Sequence, residues 1–300
     1  MLKTSNYPYY KFDFEHFNVV QEACYSFFTE DCNMVISSAM ASGKTAIAEA
    51  IMGFEFTKPS SKICYVSPLK ALSNEKFDDW NKCETLKSIS KVLLSGDTSA
   101  TTQMIESSSL ILSTVEALDV KVRKKSEWIK RLRCLIFDEA HLLGHSKRGA
   151  DAEALLMGLT KMNQNCRIII LSGTLKNAKQ LAQWLKKLNG KATKFVESQW
   201  TPIKINKHSV EYSSVNDLSS NIRDIVDKGF MDKKTLVFVH SKKLGVILTK
   251  YFLDNGYQAA FYHSDLDYKK RQLIAERFRD DFSGLNILVS TSALGMGMNL

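Results

Sequence analysis

The 300-residue sequence lacks the features that mark secreted, membrane-spanning or disulfide-stapled proteins. It has no run of 18 apolar residues, and residues 1–6 contain no apolar signal core. Its six cysteines form no Cys-x-x-Cys pair, and several lie in apolar runs, as reduced intracellular thiols do. No solenoid repeat or low-complexity segment is present. We therefore expect a soluble protein of the cytoplasm, or of the nucleus in a eukaryote, with neither a zinc site nor a disulfide frame.

The composition suits a large core and a polyanionic partner. Hydrophobic residues make up 44% of the 300, which favours two domains over one. The net charge is +9, which favours binding to a polyanion, although many basic proteins bind none. Residues 121–133 carry seven basic side chains in thirteen positions. Such a run is usually a solvated helix face, and we interpret Trp128 within it as a core anchor.

Short apolar runs alternate with helical patterns along the chain. The pattern predicts strands at 34–37, 63–67, 92–95, 110–113, 134–138, 168–172 and 194–196, and helices at 46–54, 70–80, 115–132, 151–162 and 178–188. After a polar stretch at 200–214 it predicts helices at 217–228, 243–254 and 268–278 and strands at 235–240, 258–262 and 286–290. This alternation indicates an α/β fold with mostly parallel sheets, which bind ligands at the carboxyl ends of their strands.

The first stretch with recognisable chemistry follows the predicted strand 34–37. A Gly-Lys-Thr turn that opens a helix wraps phosphates with backbone N–H groups, so that Lys44 meets the β and γ phosphates and Thr45 offers a hydroxyl to Mg²⁺. The candidate nucleotide-binding residues here are Ser38, Ala39, Met40, Ala41, Ser42, Gly43, Lys44 and Thr45. Ser38 stands where the usual pattern has Gly or Ala, and its small side chain should still let the loop close. Taken alone, the triplet also fits an ordinary helix start.

The second stretch is the tetrapeptide 138–141, at the end of the predicted strand 134–138. Asp138 is placed to hold the Mg²⁺ shell, and Glu139 can orient and deprotonate an attacking water. His141 can bond Ser172 or Thr174 and so sense the nucleotide, or it can be a core histidine satisfied by a carbonyl. Because both stretches follow strands, we predict a site for ATP and Mg²⁺ in which the catalytic residues are Lys44, Asp138, Glu139 and His141 and the metal ligands are Thr45 and Asp138.

A series of further motifs resembles the superfamily 2 helicases, and within them the Ski-like group of DEAH/DExH-box proteins that includes the archaeal repair helicases. In family order these are motif Ia (65–72), a Gly-Asp turn (94–97), motif Ib (113–116), motif III (172–174), motif IV (237–241) and motif V (290–300). The stretches 200–203 and 142–149 are similar to the repair branch specifically. Ala140 and Gly173 depart from the group, which usually has Ile and Ala at these positions.

The resemblance implies two RecA-like parallel-sheet domains in tandem, 1–205 and 206–300, the second incomplete. It implies ATP-driven movement along a single strand from 3′ to 5′. Ser290-Thr291-Ser292 is closer to the DNA-acting branch, so DNA is favoured and an RNA helicase of the same group is the alternative. The resemblance also assigns residues: Gln21, Gly295 and Gly297 to the nucleotide, His141, Ser172 and Thr174 to coupling, and Pro68, Lys70, Gly96, Asp97, Thr114, Ser241, His263, Ser264 and Thr291 to nucleic acid.

Several alternatives stay open. Without the family pattern Gln21 is a solvated helix residue, and His263 and Ser264 are plain turn residues. The family pattern continues beyond motif V to a motif VI whose arginines reach the γ phosphate, and the printed sequence stops at Leu300. We therefore expect a fragment, a truncated gene product or one half of a split enzyme. We expect it to be monomeric, to bind ATP and a single strand, to hydrolyse ATP slowly, and to depend on C-terminal domains in cis or in trans. A non-catalytic binding module and an unrelated P-loop enzyme such as a kinase are the other hypotheses.

Overall fold

The structure is a computed structural model that describes residues 1–300 except 69, 96–99, 142–145, 174, 205, 207, 212, 230–232, 292–293 and 295–300. Its contacts divide the chain into two compact units, Met1–Lys204 (unit 1) and Ile205–Leu300 (unit 2). Within the described ranges, no helix combines the length and the apolar character needed to cross a membrane.

Unit 1 is built around a sheet of seven strands. These are β1 (Asn33–Ser38), β2 (Ile63–Ser67), β3 (Lys91–Leu94), β4 (Leu110–Thr114), β5 (Cys134–Phe137), β6 (Arg167–Ser172) and β7 (Thr193–Ser198). The helices are α1 (Val19–Tyr25), α2 (Lys44–Glu55), α3 (Lys70–Lys82), α4 (Thr102–Ser107), α5 (Val115–Arg123), α6 (Ser146–Met162) and α7 (Ala178–Asn189), with 3₁₀ turns at Thr4–Asn6 and Glu127–Arg131.

The seven strands lie in the order β3-β4-β2-β5-β6-β1-β7, and every neighbouring pair is parallel. Successive side chains of a strand point to opposite faces, so each central strand contributes to two cores. On β5, Leu135 and Phe137 pack with α5, α6 and α7, whereas Cys134 and Ile136 pack with α2 and the N-terminal segment. Because β5, β6 and β1 are adjacent and parallel, their carboxyl ends lie side by side at one end of the sheet.

A buried ion pair closes the opposite end of the sheet. Arg167, the first residue of β6, is 0% exposed, and its Nη1 lies 3.3 Å from Oε1 of Glu55 at the end of α2. The guanidinium also donates to the carbonyls of Cys32 (2.8 Å), Phe28 (3.0 Å) and Phe27 (2.6 Å). A planar guanidinium satisfies several acceptors at once, which makes arginine suited to a buried position of this kind. Arg167 thus joins β6, α2 and the segment before β1.

Unit 2 contains a three-stranded parallel sheet among its described residues. The strands β8 (Thr235–Phe238), β9 (Ala259–Tyr262) and β10 (Ile287–Ser290) lie in the order β8-β10-β9. The helices are α8 (Val215–Gly229), α9 (Lys242–Asp254) and α10 (Tyr268–Arg279). Val237 and Val289 pack with Leu248 and Phe252 of α9 on one face, and Tyr262 and Leu288 pack with Phe278 of α10 on the other.

The two sheets confirm the predicted α/β class, and one predicted helix is wrong. The pattern at 115–132 predicts a single helix, but α5 ends at Arg123 and a separate 3₁₀ turn spans Glu127–Arg131. Lys125 has a positive φ of 50°, which a helix cannot accommodate. The break lets Trp128 turn inward, where it is 1% exposed, so its interpretation as a core anchor agrees with the structure.

Candidate active site

The loop between β1 and α2 has a backbone that requires glycine at one position. Gly43 has a φ of +78°, and a Cβ added there would lie 2.3 Å from Nε2 of Gln21. Either constraint alone disfavours a side chain, because residues other than glycine rarely adopt positive φ and the Cβ would overlap the amide. Ala41 also has a positive φ, of 58°. The sequence Ser42-Gly43-Lys44 therefore makes the tight turn that places the first turn of α2 directly after β1.

The loop is held by bonds that involve its own lysine. Lys44 is 8% exposed, and its Nζ donates to the carbonyls of Ala39 (2.8 Å) and Ser38 (3.2 Å). The hydroxyls of Ser38 and Ser42 are 2.7 Å apart, so the serine that replaces the usual Gly or Ala adds a hydrogen bond inside the loop. The Lys44 ammonium consequently lies at the carboxyl end of β1.

Helix α1 contacts this loop through Asn18 and Gln21. The two residues cap the helix reciprocally: Asn18 Oδ1 accepts from the Gln21 N–H (3.1 Å), and Gln21 Oε1 accepts from the Asn18 N–H (3.0 Å). Their amide nitrogens donate to the loop, Asn18 Nδ2 to Ser42 O (3.0 Å) and Gln21 Nε2 to Gly43 O (3.2 Å). Gln21 is 3% exposed with both amide ends bonded, so reading an adenine would require it to exchange partners. That role stays a prediction.

Asp138 extends the line of β5 and is 6% exposed. Its N–H donates to Val66 O at 2.8 Å, which continues the ladder between β5 and β2. Its carboxylate has two donors: the Glu139 N–H bonds Oδ1 at 2.8 Å, and the hydroxyl of Tyr65 donates to Oδ2. Burial raises the pKa of Asp138, and the nearby Glu139 carboxylate adds to this, whereas the Tyr65 bond opposes it.

Glu139 turns away from the strand and pairs with His141. Its φ is +50°, a left-handed conformation that is uncommon outside glycine and asparagine. Its Oε2 lies 3.2 Å from Nδ1 of His141. This hydrogen bond is the main cause that lowers the pKa of Glu139, and the same bond raises the pKa of His141. Glu139 is therefore ionised at neutral pH, as an acceptor of a water proton has to be.

Lys44, Asp138 and Glu139 lie close enough to affect each other's ionisation. Burial lowers the pKa of Lys44, and the carboxylates of Glu139 and Asp138 partly offset this by raising the same pKa. In turn, Lys44 lowers the pKa of both carboxylates. A cation after β1 and two anions after β5, with only β6 between the two strands, suit a triphosphate and its metal ion. The hydroxyl of Thr45 and the carboxylate of Asp138 are oxygen donors of the kind Mg²⁺ takes beside substrate phosphates.

Ser172 ends β6, the strand between β5 and β1. Its Oγ is buried and has no hydrogen-bond partner among the described residues. The bond between His141 and Ser172 that the sequence suggests is therefore not formed in this structure, where His141 pairs with Glu139. Instead, the Ser37 hydroxyl on β1 donates to Gly173 O (3.4 Å) and accepts from the Leu175 N–H (3.0 Å). The coupling roles of His141 and Ser172 stay predictions, and Thr174 lies outside the described residues.

Gly173 stands where the helicase group usually has Ala, and the structure shows whether an alanine side chain would fit there. No heavy atom lies within 4 Å of the position that a Cβ would take there, and its φ is not positive. We expect Gly173→Ala to stabilise unit 1 by about 0.4–1 kcal/mol, because alanine restricts the unfolded chain without a clash. Urea denaturation followed by tryptophan fluorescence measures this. Loss of stability would contradict the open space, and Gly43→Ala, which we expect to destabilise, is the matched control.

The residues assigned to nucleic acid in unit 1 lie near the ends of β2 and β4. Pro68 follows β2 and is buried, and Lys70 is the exposed first residue of α3. Thr114 ends β4, and its hydroxyl caps α5 by accepting from the Ala117 N–H at 3.3 Å. Gly96 and Asp97 lie outside the described residues.

The corresponding residues of unit 2 follow its strands in the same way. Ser241 caps α9, its hydroxyl accepting from the Leu244 N–H at 3.2 Å. The His263 ring lies 4.6 Å from that of Phe261, and its buried Nδ1 has no hydrogen-bond partner among the described residues. Ser264 is exposed and donates to Asp265 Oδ1 at 3.3 Å. Thr291 directly follows β10. Gly295 and Gly297, assigned to the nucleotide, lie outside the described residues.

Sequence reasoning missed one residue of the site. Tyr65 lies within motif Ia, but nothing in its local pattern separates it from an ordinary core aromatic. Its hydroxyl meets Asp138 only because β2 and β5 are neighbours in the sheet, although 73 positions separate the two residues. Only knowledge of the strand order, which makes β2 and β5 neighbours, would have indicated the contact between Tyr65 and Asp138.

Two protein-family models match this chain. The sequence model of the DEAD/DEAH box helicases matches residues 18–181, and that of the helicase conserved C-terminal domain matches residues 217–300. The chain therefore belongs to the DEAD/DEAH box helicase family. Within it, the chain groups with the Ski-like helicases of superfamily 2 and is similar to the archaeal repair branch, which confirms the resemblance drawn from the motifs.

Two curated relatives illustrate this placement. ATP-dependent DNA helicase Hel308 of Pyrococcus abyssi is 29% identical over 93% of this chain and 43% of its own length. ATP-dependent DNA helicase MER3 of Saccharomyces cerevisiae is 28% identical over 96% of this chain and 28% of its own length. The chain thus spans less than half the length of these relatives.

A solved structure supports the fold. The Mycobacterium smegmatis helicase Lhr, solved bound to ssDNA and AMP-PNP, superposes with a TM-score of 0.69 over 93% of this chain and 40% of that one. At 22% sequence identity this likeness concerns the fold alone.

Proposed function

We propose that this chain is the motor part of an ATP-dependent DNA helicase, which couples ATP hydrolysis to movement along a single strand. The observation that carries the proposal is the placement of Lys44 after β1 and of Asp138 and Glu139 after β5, two parallel strands separated only by β6, where Lys44 lowers the pKa of both carboxylates. Family membership implies ATP binding. The names of the relatives, which are DNA helicases, support DNA over RNA as the substrate.

In the proposed reaction, unit 1 binds ATP and activates water. The loop 38–43 and the Lys44 ammonium would hold the phosphates, and Thr45 and Asp138 would hold a Mg²⁺ ion, which would neutralise phosphate charge. Glu139 orients a water and accepts its proton, and His141 keeps the Glu139 carboxylate in place through the 3.2 Å contact. Gln21 reads the adenine after exchanging its present partners. His141, Ser172 and Thr174 report the nucleotide state.

The rest of the proposal concerns the strand and the second domain. The division after Lys204 supports two RecA-like domains, 1–205 and 206–300. We propose that Pro68, Lys70, Gly96, Asp97, Thr114, Ser241, His263, Ser264 and Thr291 contact the sugar-phosphate backbone, and that Gly295 and Gly297 contact the nucleotide. Contacts of this kind carry little base specificity and weaken with salt. Movement would run from 3′ to 5′, by a monomer in the cytoplasm or in a nucleus.

Competition binding tests the substrate. Matched single-stranded DNA and RNA oligomers are titrated against the chain with and without a non-hydrolysable ATP analogue, and phosphate release is measured beside each. We expect tighter DNA binding, a steep fall of affinity with salt, and stimulation of hydrolysis by the strand. Preference for RNA would favour the RNA-acting branch. Hydrolysis that no polynucleotide stimulates would contradict the helicase proposal and favour a different P-loop enzyme.

The same assay addresses the rate of the 300-residue polypeptide. An arginine finger contributes about 10³ to 10⁵ to turnover in related phosphoryl transfers. We propose that residues 1–300 alone bind ATP and a strand but turn over slowly, because the family resemblance assigns contact with the γ phosphate to arginines of a motif VI that follows motif V. Strand-stimulated turnover near one per second would contradict this.

A further inference from the structure

Tyr65 lies in the middle of β2 and is 0% exposed. It is paired in register with Ile136 of β5, and Asp138 comes two residues after Ile136. Because side chains alternate along a strand, Asp138 is directed to the same face of the sheet as Tyr65 and Ile136. The Tyr65 hydroxyl donates to Asp138 Oδ2 across the two strands.

The two donors to Asp138 fix both oxygens of its carboxylate. Oδ1 accepts from the Glu139 N–H at 2.8 Å, and Oδ2 accepts from Tyr65. A carboxylate bonded at both oxygens cannot rotate about its terminal bond without losing one of them. Each oxygen accepts more than one bond, so capacity for a metal ion is left. A tyrosine phenol is protonated at neutral pH, so the Tyr65 hydroxyl is available as a donor.

The tyrosine ring is itself held from α3 and α2. Trp80 on α3 packs against it edge to face, with ring centroids 4.9 Å apart. The Trp80 indole donates to Oε1 of Glu49 on α2 at 2.8 Å. The ring therefore has little freedom to move, and the position of its hydroxyl is set by three elements of the unit.

We propose that Tyr65 is a positioning residue that fixes the Asp138 carboxylate for the Mg²⁺ of a bound nucleotide. The role rests on the proposed ATP-dependent function. A group that hydrogen-bonds a metal ligand holds that ligand in position. Loss of such a group costs about 10- to 100-fold in metal affinity or activity. Nucleotide binding without metal does not involve this contact.

The test compares Tyr65→Phe with Tyr7→Phe. Tyr7 is a matched control because it is also buried, at 4% exposed, and its hydroxyl donates at 2.8 Å to Ala50 O on α2, away from Asp138. Mn²⁺ binding in the presence of ADP is followed by the electron paramagnetic resonance signal of free Mn²⁺. Binding of mant-ADP in EDTA and the melting temperature are measured for each variant.

We expect Tyr65→Phe to weaken Mn²⁺ binding about 10-fold, with unchanged mant-ADP binding in EDTA, while Tyr7→Phe leaves both as in the wild type. Equal Mn²⁺ affinity in the wild type and Tyr65→Phe would overturn the positioning role alone. An equal loss in both variants would also overturn it, because it would report a general effect of removing a buried hydroxyl. Failure of the wild type to bind any nucleotide would instead overturn the proposed function, and this role with it.

Discussion

Replacing Glu139 with glutamine is expected to slow ATP hydrolysis about 10²- to 10⁴-fold, the range typical of losing a general base. The amide keeps the size of the side chain but cannot accept a proton from water. Lys44, Asp138 and the loop 38–43 are unchanged, so nucleotide binding should be retained. Phosphate release and mant-ADP binding, measured on the same preparation, separate the two effects.

Lys44→Ala and Glu153→Gln complete this comparison. Removing the ammonium deletes a charge-assisted bond to phosphate, worth about 1.5–3 kcal/mol, so we expect binding about 10- to 100-fold weaker. Glu153 is an exposed residue of α6, and its substitution should leave both binding and hydrolysis unchanged. If Glu139→Gln hydrolysed ATP as fast as Glu153→Gln, Glu139 would not be the base.

The second large effect is expected at the buried ion pair. Arg167→Leu should destabilise unit 1 by about 3–5 kcal/mol, because the buried Glu55 carboxylate loses the guanidinium at Oε1 and keeps only Lys58 and Arg133 at Oε2. Three backbone carbonyls, of Cys32, Phe27 and Phe28, lose the guanidinium as a donor at the same time. By contrast, Arg123→Leu removes an exposed pair with Asp119 and should cost about 0–1 kcal/mol.

Denaturation by urea, followed by tryptophan fluorescence, measures this in unit 1 alone, since all four tryptophans lie before residue 204. The double variant Arg167→Met with Glu55→Met should be more stable than Arg167→Leu, because no buried carboxylate then remains, and the cations it releases, Lys58 and Arg133, are partly exposed. It should not reach the wild type, because the carbonyls of Cys32, Phe27 and Phe28 still lack the bonds from the guanidinium. A loss below about 1 kcal/mol for Arg167→Leu would contradict the role assigned to the pair.

The strands could be predicted from sequence because the central ones are buried on both faces. Apolar runs such as 63–67 coincide with β2, and the other strands lie within two residues of their predicted bounds. The break near Lys125 could not be predicted in this way. The run of basic residues there has no apolar periodicity whose interruption would mark the end of a helix. The short helix α4 was missed for a similar reason, since Ile105 is its only buried residue.

In the site too, features encoded by neighbouring residues could be predicted and contacts between distant residues could not. The strand-end motifs that contain Lys44 and Asp138 were recognisable from local sequence, because their chemistry depends on residues next to each other in the chain. The contacts of Asp138 with Tyr65 and of Glu55 with Arg167 span 73 and 112 positions. They depend on which strands and helices become neighbours, and no local pattern encodes that.

The Ser37 hydroxyl bridges two segments that bear on the nucleotide. One oxygen atom donates to the chain after β6 and accepts from it, while its own residue directly precedes the phosphate loop. Displacement of either segment by a fraction of an ångström would stretch both bonds together. The loop proposed to bind phosphate and the segment assigned to coupling are therefore tied together at this side chain as well as through the ladder between β1 and β6, inside one unit.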